Sequence, residues 1–343
     1  MQPRSKFARQ CGWMFVGCSL VLHFITVLAF ARKPEVLAAY TVMPIWLWGA
    51  AGILLSSLAF YFLRAPLSLV VTGVWAFTIL LGADEAKVIA NIGKEKPKPG
   101  IPMPVDGKRP IRVITLNAAE FDFGDPAMDI ALWEPDIILL QEVDLQQVKR
   151  IAEAAFQGGG DYRAYAFNGV ATRWKITREV RNPDPALRFL NHNVTITEPG
   201  GRSIEVVNLH LSSAATNLRL WKKSCWREHR NNRRQRRQEM SVALDILEQR
   251  TTFPATHPGS SPVILGGDFN APADDPIQRQ LEDHFVDAFE EAGRGWGNTF
   301  QRRIPILRLD QIHTTSHFTP VRCQAVTTRN SDHRMVVADL LLE

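Results

Sequence analysis

The chain has 343 residues, 45 % of them hydrophobic and 22 % charged, with a formal net charge of +5. That balance excludes a disordered chain and leaves room for one large domain or two ordinary ones. The four cysteines, at 11, 18, 225 and 323, are too few for a disulfide-dense scaffold, and their spacing does not suggest zinc.

The averages conceal an uneven chain. No Lys, Arg, Asp or Glu occurs between Arg9 and Arg32, between Glu35 and Arg64, or between Arg64 and Asp84. Each gap can supply roughly 20 apolar residues, the length a helix needs to cross about 30 Å of hydrocarbon. Three membrane helices are therefore expected, near Gly12–Ala31, Tyr40–Leu63 and Pro66–Gly82, with Pro44 in the first turns of the second. A buried helical hairpin in a soluble protein is the alternative. The first segment also has features of a signal peptide, with a basic start and the small-x-small triplet Ala29–Ala31. It is longer than the usual apolar region of about 7–15 residues, so a retained helix is preferred. Arg4, Lys6 and Arg9 precede the first helix, Arg32 and Lys33 follow it, and Arg64 separates the second from the third. These flanks put the N-terminus inside. Three crossings then make a multi-pass protein of the inner or plasma membrane, with everything after Gly82 extracytoplasmic. Cleavage after Ala31 would leave the C-terminal part on the same side. That compartment permits a disulfide between Cys225 and Cys323 without requiring one.

Residues 91–110, NIGKEKPKPGIPMPVDGKRP, have the Pro, Gly and Lys content of an extended linker able to hold a domain tens of Å from a bilayer. From Ile111 to Glu343 the pattern becomes α/β. IRVITLNA ends near Asn117, PDIILLQEV carries Gln141 and Glu142, and SIEVVNLHLS carries His210. PVILGGDFN ends at Asp268 and Asn270, ILRLDQIH carries Asp310, and SDHRMVVADLLL opens on Asp332 and His333. Helical stretches intervene, among them residues 236–249 with Met240, Leu244 and Leu247 on one face. Continuous apolar runs of this kind are strands buried on both sides.

Strand after strand delivers a polar or ionisable group near one end, which is how a site is assembled. Carboxylates are hard oxygen ligands suited to Mg²⁺, Mn²⁺ or Ca²⁺. Glu142 is the first choice for metal ligand and Asp332 the second. His333 is the candidate base, with an ordinary pKa near 6.5, and Asp310 the group that fixes its tautomer. Asp268 can orient the attacking water. Asn270, Asn117 and His210 can donate hydrogen bonds to phosphate oxygens.

In this order the segments VITLNA, DIILLQEV, GVATRW, VVNLHLS, VILGGDFNAP, RLDQIH and SDHRMVV resemble the endonuclease/exonuclease/phosphatase superfamily, the DNase I-like metal-dependent phosphoesterases. The resemblance covers essentially all of 111–343. It implies a four-layer α/β (α+β) sandwich of two mixed sheets with helices outside. It also implies roles: Glu142 on a Mg²⁺ ion, with Mn²⁺ as a substitute; Asp268 and Asn270 on water and phosphate; Asp310 paired with His333; Asp332 at the metal or the pair; Asn117 and His210 on phosphate. Arg173, in ATRW, matches an arginine of the family's phosphate-binding set, with Thr172 where serine is frequent. His210 stands where abasic-site endonucleases of the superfamily carry a Tyr-containing segment, which argues against that branch.

The substrate is less legible. Residues 221–238, WKKSCWREHRNNRRQRRQ, hold eight basic residues against Glu228 and follow His210 closely. They suit nucleic-acid backbone with Trp221 and Trp226 stacking on bases, anionic lipid headgroups, or a solvated helix start. A membrane anchor raises the effective concentration of lipid phosphates, so a lipid-linked phosphate ester is preferred and nucleic acid is the alternative. A catalytically dead binding protein is a third reading, opposed by the completeness of the constellation. No obligate protein partner is expected.

Overall fold

The structure, a computed structural model, describes residues 5–181, 190–213, 219–249 and 260–343. Arg4, counted among the orienting charges, lies outside the described residues. The chain divides into two compact units, residues 1–87 with 217–231, and residues 88–216 with 232–343.

The first unit contains helices α1 (Lys6–Arg32), α2 (Ala38–Thr41), α3 (Ile45–Leu63), α4 (Pro66–Gly82) and α5 (Asp84–Lys87). The long helices pack through small residues, as membrane helices do. A Cβ on Gly52 would stand 1.9 Å from the Trp75 ring. Trp75 is fully buried, and its Nε1 donates to Ser19 Oγ (3.0 Å), which donates to the Gly52 carbonyl (3.0 Å). Large apolar side chains such as Phe24, Leu54 and Phe77 face outward, the reverse of a water-soluble hairpin. Pro44 is the N-cap of α3, so that helix starts at Ile45 rather than near Tyr40. α1 and α3 are long and apolar enough to cross a membrane. α4, at 17 residues, meets that test only together with Asp84–Asn91, across a 73° bend. All four cysteines are free.

The second unit carries β1 (Ile111–Asn117), α6 (Ala127–Ala131), β2 (Ile137–Gln141), α7 (Leu145–Phe156), β3 (Asp161–Tyr165), β4 (Asn168–Thr172), β5 (Lys175–Arg181), β6 (Asn191–Thr197) and β7 (Ser203–His210). There follow α8 (Lys223–Glu248), which belongs to this unit from residue 232 onward, then β8 (Val263–Asp268), β9 (Val286–Asp287), α9 (Ala288–Ala292), β10 (Asp310–Thr314), β11 (Phe318–Val326) and β12 (Met335–Leu342). Two six-stranded mixed sheets result, ordered β11-β12-β1-β2-β4-β3 and β5-β6-β7-β8-β10-β9. Val113, Leu139, Val206 and Ile264 belong to the core shared by the two sheets. A second core joins β1 and β2 to α6 and α7 through Ile138, Leu140, Ile130 and Ile151, and a third joins β7 and β8 to α8 through Leu209, Leu265, Met240 and Leu247. The order helices, sheet, sheet, helix is the four-layer sandwich expected from sequence. Two glycines let β8 sit between its neighbours. A Cβ on Gly267 would lie 2.0 Å from the Leu209 carbonyl oxygen, and one on Gly266 would lie 2.8 Å from Leu139 Cδ1 in the facing sheet.

The expected free linker is instead a docked strap. Asn91 Nδ2 donates to the Glu290 carbonyl, and Arg294 donates back to the Asn91 carbonyl. Arg322 grips Glu95 and the Met103 carbonyl, and Gln324 donates to the Pro97 carbonyl. Arg112, 1 % exposed, donates to Asp339 (2.7 and 3.0 Å) and to the carbonyls of Lys98 (2.8 Å) and Gly100 (2.6 Å). The strap is part of the second unit, which begins at Val88.

Candidate active site

The site forms where β1, β2, β7, β8 and β10 finish or begin at one end of the sandwich. Parallel pairing sets Asn117 against Gln141 and His210 against Asp268, and antiparallel pairing sets Asp310 against Asp268. Asn117 Nδ2 donates to Glu142 Oε1 (3.0 Å) and Asp268 Oδ2 (3.1 Å). Asp268 also accepts from the Asn270 backbone N–H (2.8 Å) and its Nδ2 (3.2 Å). His210 Nε2 stands 3.6 Å from Glu142 Oε1 and 4.0 Å from Asp268 Oδ2. Glu142 (φ 55°) and Asn270 (φ 48°) both hold left-handed backbone. Asn tolerates that conformation and Glu pays for it, so the surrounding fold fixes where Glu142 points.

His333 Nδ1 is 2.7 Å from Asp310 Oδ2, and its Nε2 is 4.0 Å from Asp268 Oδ2. The ring packs on Phe300, 4.9 Å between centroids. Burial by itself would lower the His333 pKa. The charge and hydrogen bond of Asp310, with Asp268 and Asp332 behind them, outweigh burial and raise it to about 10. Burial pushes Asp310 upward too, so the pair shares a proton, and the charge of Asp310 holds it on the imidazole.

Asp268, Asp310 and His333 have ligand atoms within 4.8 Å of one another. Glu142 joins that group through Asn117. Asp332 does not belong to it, although its charge acts on His333. Arg173 lies elsewhere. β4 runs antiparallel to β2 with Thr172 against Ile137 and Asn168 against Gln141, so Arg173 falls at the end opposite Glu142. There its Nε is 3.3 Å from Asp136 and its guanidinium covers Phe156. It cannot serve phosphate at this site.

Sequence reasoning passed over the supports. Ser331 Oγ donates to the Asn117 carbonyl (2.6 Å) and accepts from the His333 N–H (2.9 Å). Thr299 Oγ1 accepts from the Asp310 N–H (3.1 Å). Ser331 stood in the SDH motif and was legible there; Thr299 lies in a loop without pattern.

The match to known families is decisive on this geometry. The model of the Endonuclease/Exonuclease/phosphatase family matches residues 112–333, well over half of the chain. The chain belongs to that family. A family protein of known structure from Bacteroides vulgatus is 19 % identical, covering 69 % of this chain and 100 % of its own, with a TM-score of 0.52. A Bacteroides thetaiotaomicron mannosyl-6-phosphatase is 17 % identical (68 % and 100 % covered, TM-score 0.52), and a humanized D. rerio TDP2 is 18 % identical (67 % and 98 %, TM-score 0.51). These likenesses establish the fold. No curated protein matches. Members of the family are hydrolases of phosphate esters and generally depend on a divalent metal. The residues here fit such an ion: Glu142 and Asp268 are hard carboxylates brought together on one amide.

Proposed function

We propose that this protein is a membrane-anchored, Mg²⁺-dependent phosphoesterase that cleaves a phosphate ester by in-line attack of water. The observation that carries the reading is the line Asp310, His333, Asp268, with gaps of 2.7 Å and 4.0 Å. The second gap is the span of one oxygen atom hydrogen-bonded to both sides. A cation held by Glu142 and Asp268 would offset charge on the non-bridging oxygens and on the leaving oxygen. Asp268, fixed by three N–H donors, orients the water. Its oxygen bonds to phosphorus as the ester P–O bond breaks. His333 takes the water's proton at Nε2 while its Nδ1–H stays on Asp310, and the leaving oxygen, on the far side of phosphorus, takes its proton from solvent. With a pKa near 10, the imidazole keeps its proton at neutral pH, so a base role needs positive charge near Asp268 to loosen that proton. Asn117 and His210 face the same space and suit phosphate oxygens.

The preferred substrate is a lipid-linked phosphate, because α1 and α3 can hold the chain at a bilayer where such phosphates are concentrated. A multi-pass anchor with an extracytoplasmic catalytic unit belongs to the same reading. Nucleic acid keeps one observation in its favour. Lys223, Arg227, Arg230, Arg234 and Arg237 recur every three or four residues along one side of α8, a stripe of about 21 Å at 1.5 Å per residue. Arg233 and Arg236 of the same run are buried against Asp275 and add nothing to it.

The test uses the full chain in vesicles, comparing Mg²⁺-dependent phosphate release from a lipid-linked phosphate with nicking of plasmid DNA. Release that EDTA abolishes, without nicking, is the expected result. Nicking alone moves the substrate to nucleic acid. Neither activity, with a folded chain, removes the enzymatic reading.

A further inference from the structure

The strap presents one kind of side chain inward and another outward. Pro97 and Pro102 are buried, while Lys96, Lys98, Ile101 and Met103 are exposed between and beside them. Ile92 is 75 % exposed, Ile101 65 % and Met103 50 %. Lys96 and Lys98 have no acidic partner among the described residues. They line a cavity of about 130 Å³ with Ile101, Arg112, Arg322 and Asp339, the last paired with both arginines. The two arginines spend their donors on Asp339, Glu95 and backbone carbonyls, so the lysines are the cations left for a ligand. Only residues 83–87 separate the end of α4 from Val88, where the second unit begins.

Exposed isoleucines are costly against water, and, flanking lysines without an acidic partner among the described residues, they suit one kind of surface, the boundary between acyl chains and anionic headgroups. We propose that residues 89–103 are a bilayer-contact surface. Ile92, Ile101 and Met103 enter the headgroup boundary, and Lys96 and Lys98 bind phosphates of anionic phospholipids at the mouth of the cavity. The occupant follows from chain continuity with the membrane-compatible helices and from the sign of the charge. The proposal rests on those helices lying in a bilayer and is independent of the chemistry of the site.

The experiment places a photoreactive benzoyl-phenylalanine at Ile92, Ile101, Phe167 or Leu54 of the full chain, in vesicles with or without phosphatidylserine, and reads lipid adducts by mass spectrometry. Leu54, exposed on α3, reports the membrane reading, and Phe167, exposed between β3 and β4 at the Gln141 end of β2, is the control away from the strap. Adducts at Ile92 and Ile101 about tenfold above Phe167, falling severalfold in the Lys96→Glu, Lys98→Glu double variant and without phosphatidylserine, are expected. Yields at Ile92 and Ile101 no higher than at Phe167, while Leu54 reacts, overturn the strap's contact. Yields indifferent to lipid charge and to the double variant overturn the role of the lysines. No adduct at Leu54 overturns the membrane reading and the strap with it.

Discussion

Asp268 has its two oxygens held by an amide and a backbone N–H from Asn270 and by an amide from Asn117. Asp268→Ala removes the group that orients water and leaves three donors aimed at nothing. His333→Ala removes the imidazole paired with Asp310. Each change should lower kcat about 10³-fold, with the thermal midpoint shifted far less than for a collapsed core. Activity within tenfold of the native chain for either variant would dismiss these roles. A second residue titrates for structural reasons. Burial, its largest influence, lowers the His313 pKa to about 4 even though Asp287 pulls it upward. Because the folded value lies below the unfolded 6.5, the unfolded chain binds more protons between pH 6.5 and 4. Stability from His313 is therefore complete above about pH 6.5 and lost as pH falls toward 4, by up to about 3 kcal/mol. Midpoints measured from pH 7 to 4 should fall more steeply for the native chain than for His313→Gln; parallel slopes would contradict the assignment.

Among elements, the strap makes the sharper claim. A chain starting at Lys108 lacks the carbonyls of Lys98, Gly100 and Met103, and with them acceptors for the buried Arg112 and Arg322. It should be roughly 3–5 kcal/mol less stable to urea than one starting at Val88, the usual consequence of stripping partners from a buried charge. Equal stability of the two fragments would return residues 91–107 to the status of a spacer. The strap's docking was not legible in the sequence, because backbone carbonyls make it and every residue has one. Pro and Lys content looks the same in a docked segment and a free one. The strands that build the site were legible for the opposite reason. Runs such as VITL in β1 and IILL in β2, buried on both faces, are largely apolar, so the polar residue at the end of each strand stands out. Arg173 was misplaced because a local motif does not say which end of a sheet its hairpin returns to. The basic run before Gln238 concealed its own division. On α8, Arg233 and Arg236 turn inward to Asp275 while Lys223, Arg227, Arg234 and Arg237 stay outside, a distinction of helical phase that charge counting overlooks.

For the molecule as a whole, the direction of β1 links anchoring to substrate. Arg112, which grips the strap, opens this strand, and Asn117, which orients the site, closes it. Five strand steps at roughly 3.3 Å put about 17 Å between the two ends. If the strap lies on headgroups and β1 stands along the bilayer normal, the catalytic mouth is at about that height. A phosphate at headgroup level is then out of reach without lifting the lipid, whereas one carried at the end of a lipid-linked oligosaccharide of matching length arrives at the mouth. In vesicles, kcat/KM for a lipid bearing a phosphate monoester at the end of an oligosaccharide should exceed that for a plain lipid monophosphate at least about tenfold. In detergent, where no surface fixes the height, the ratio should approach one. The comparison separates geometry from chemistry, because both substrates offer a phosphate monoester to Asp268 and His333. A preference for the plain lipid monophosphate in vesicles would mean that the mouth lies at the surface and the strap does not.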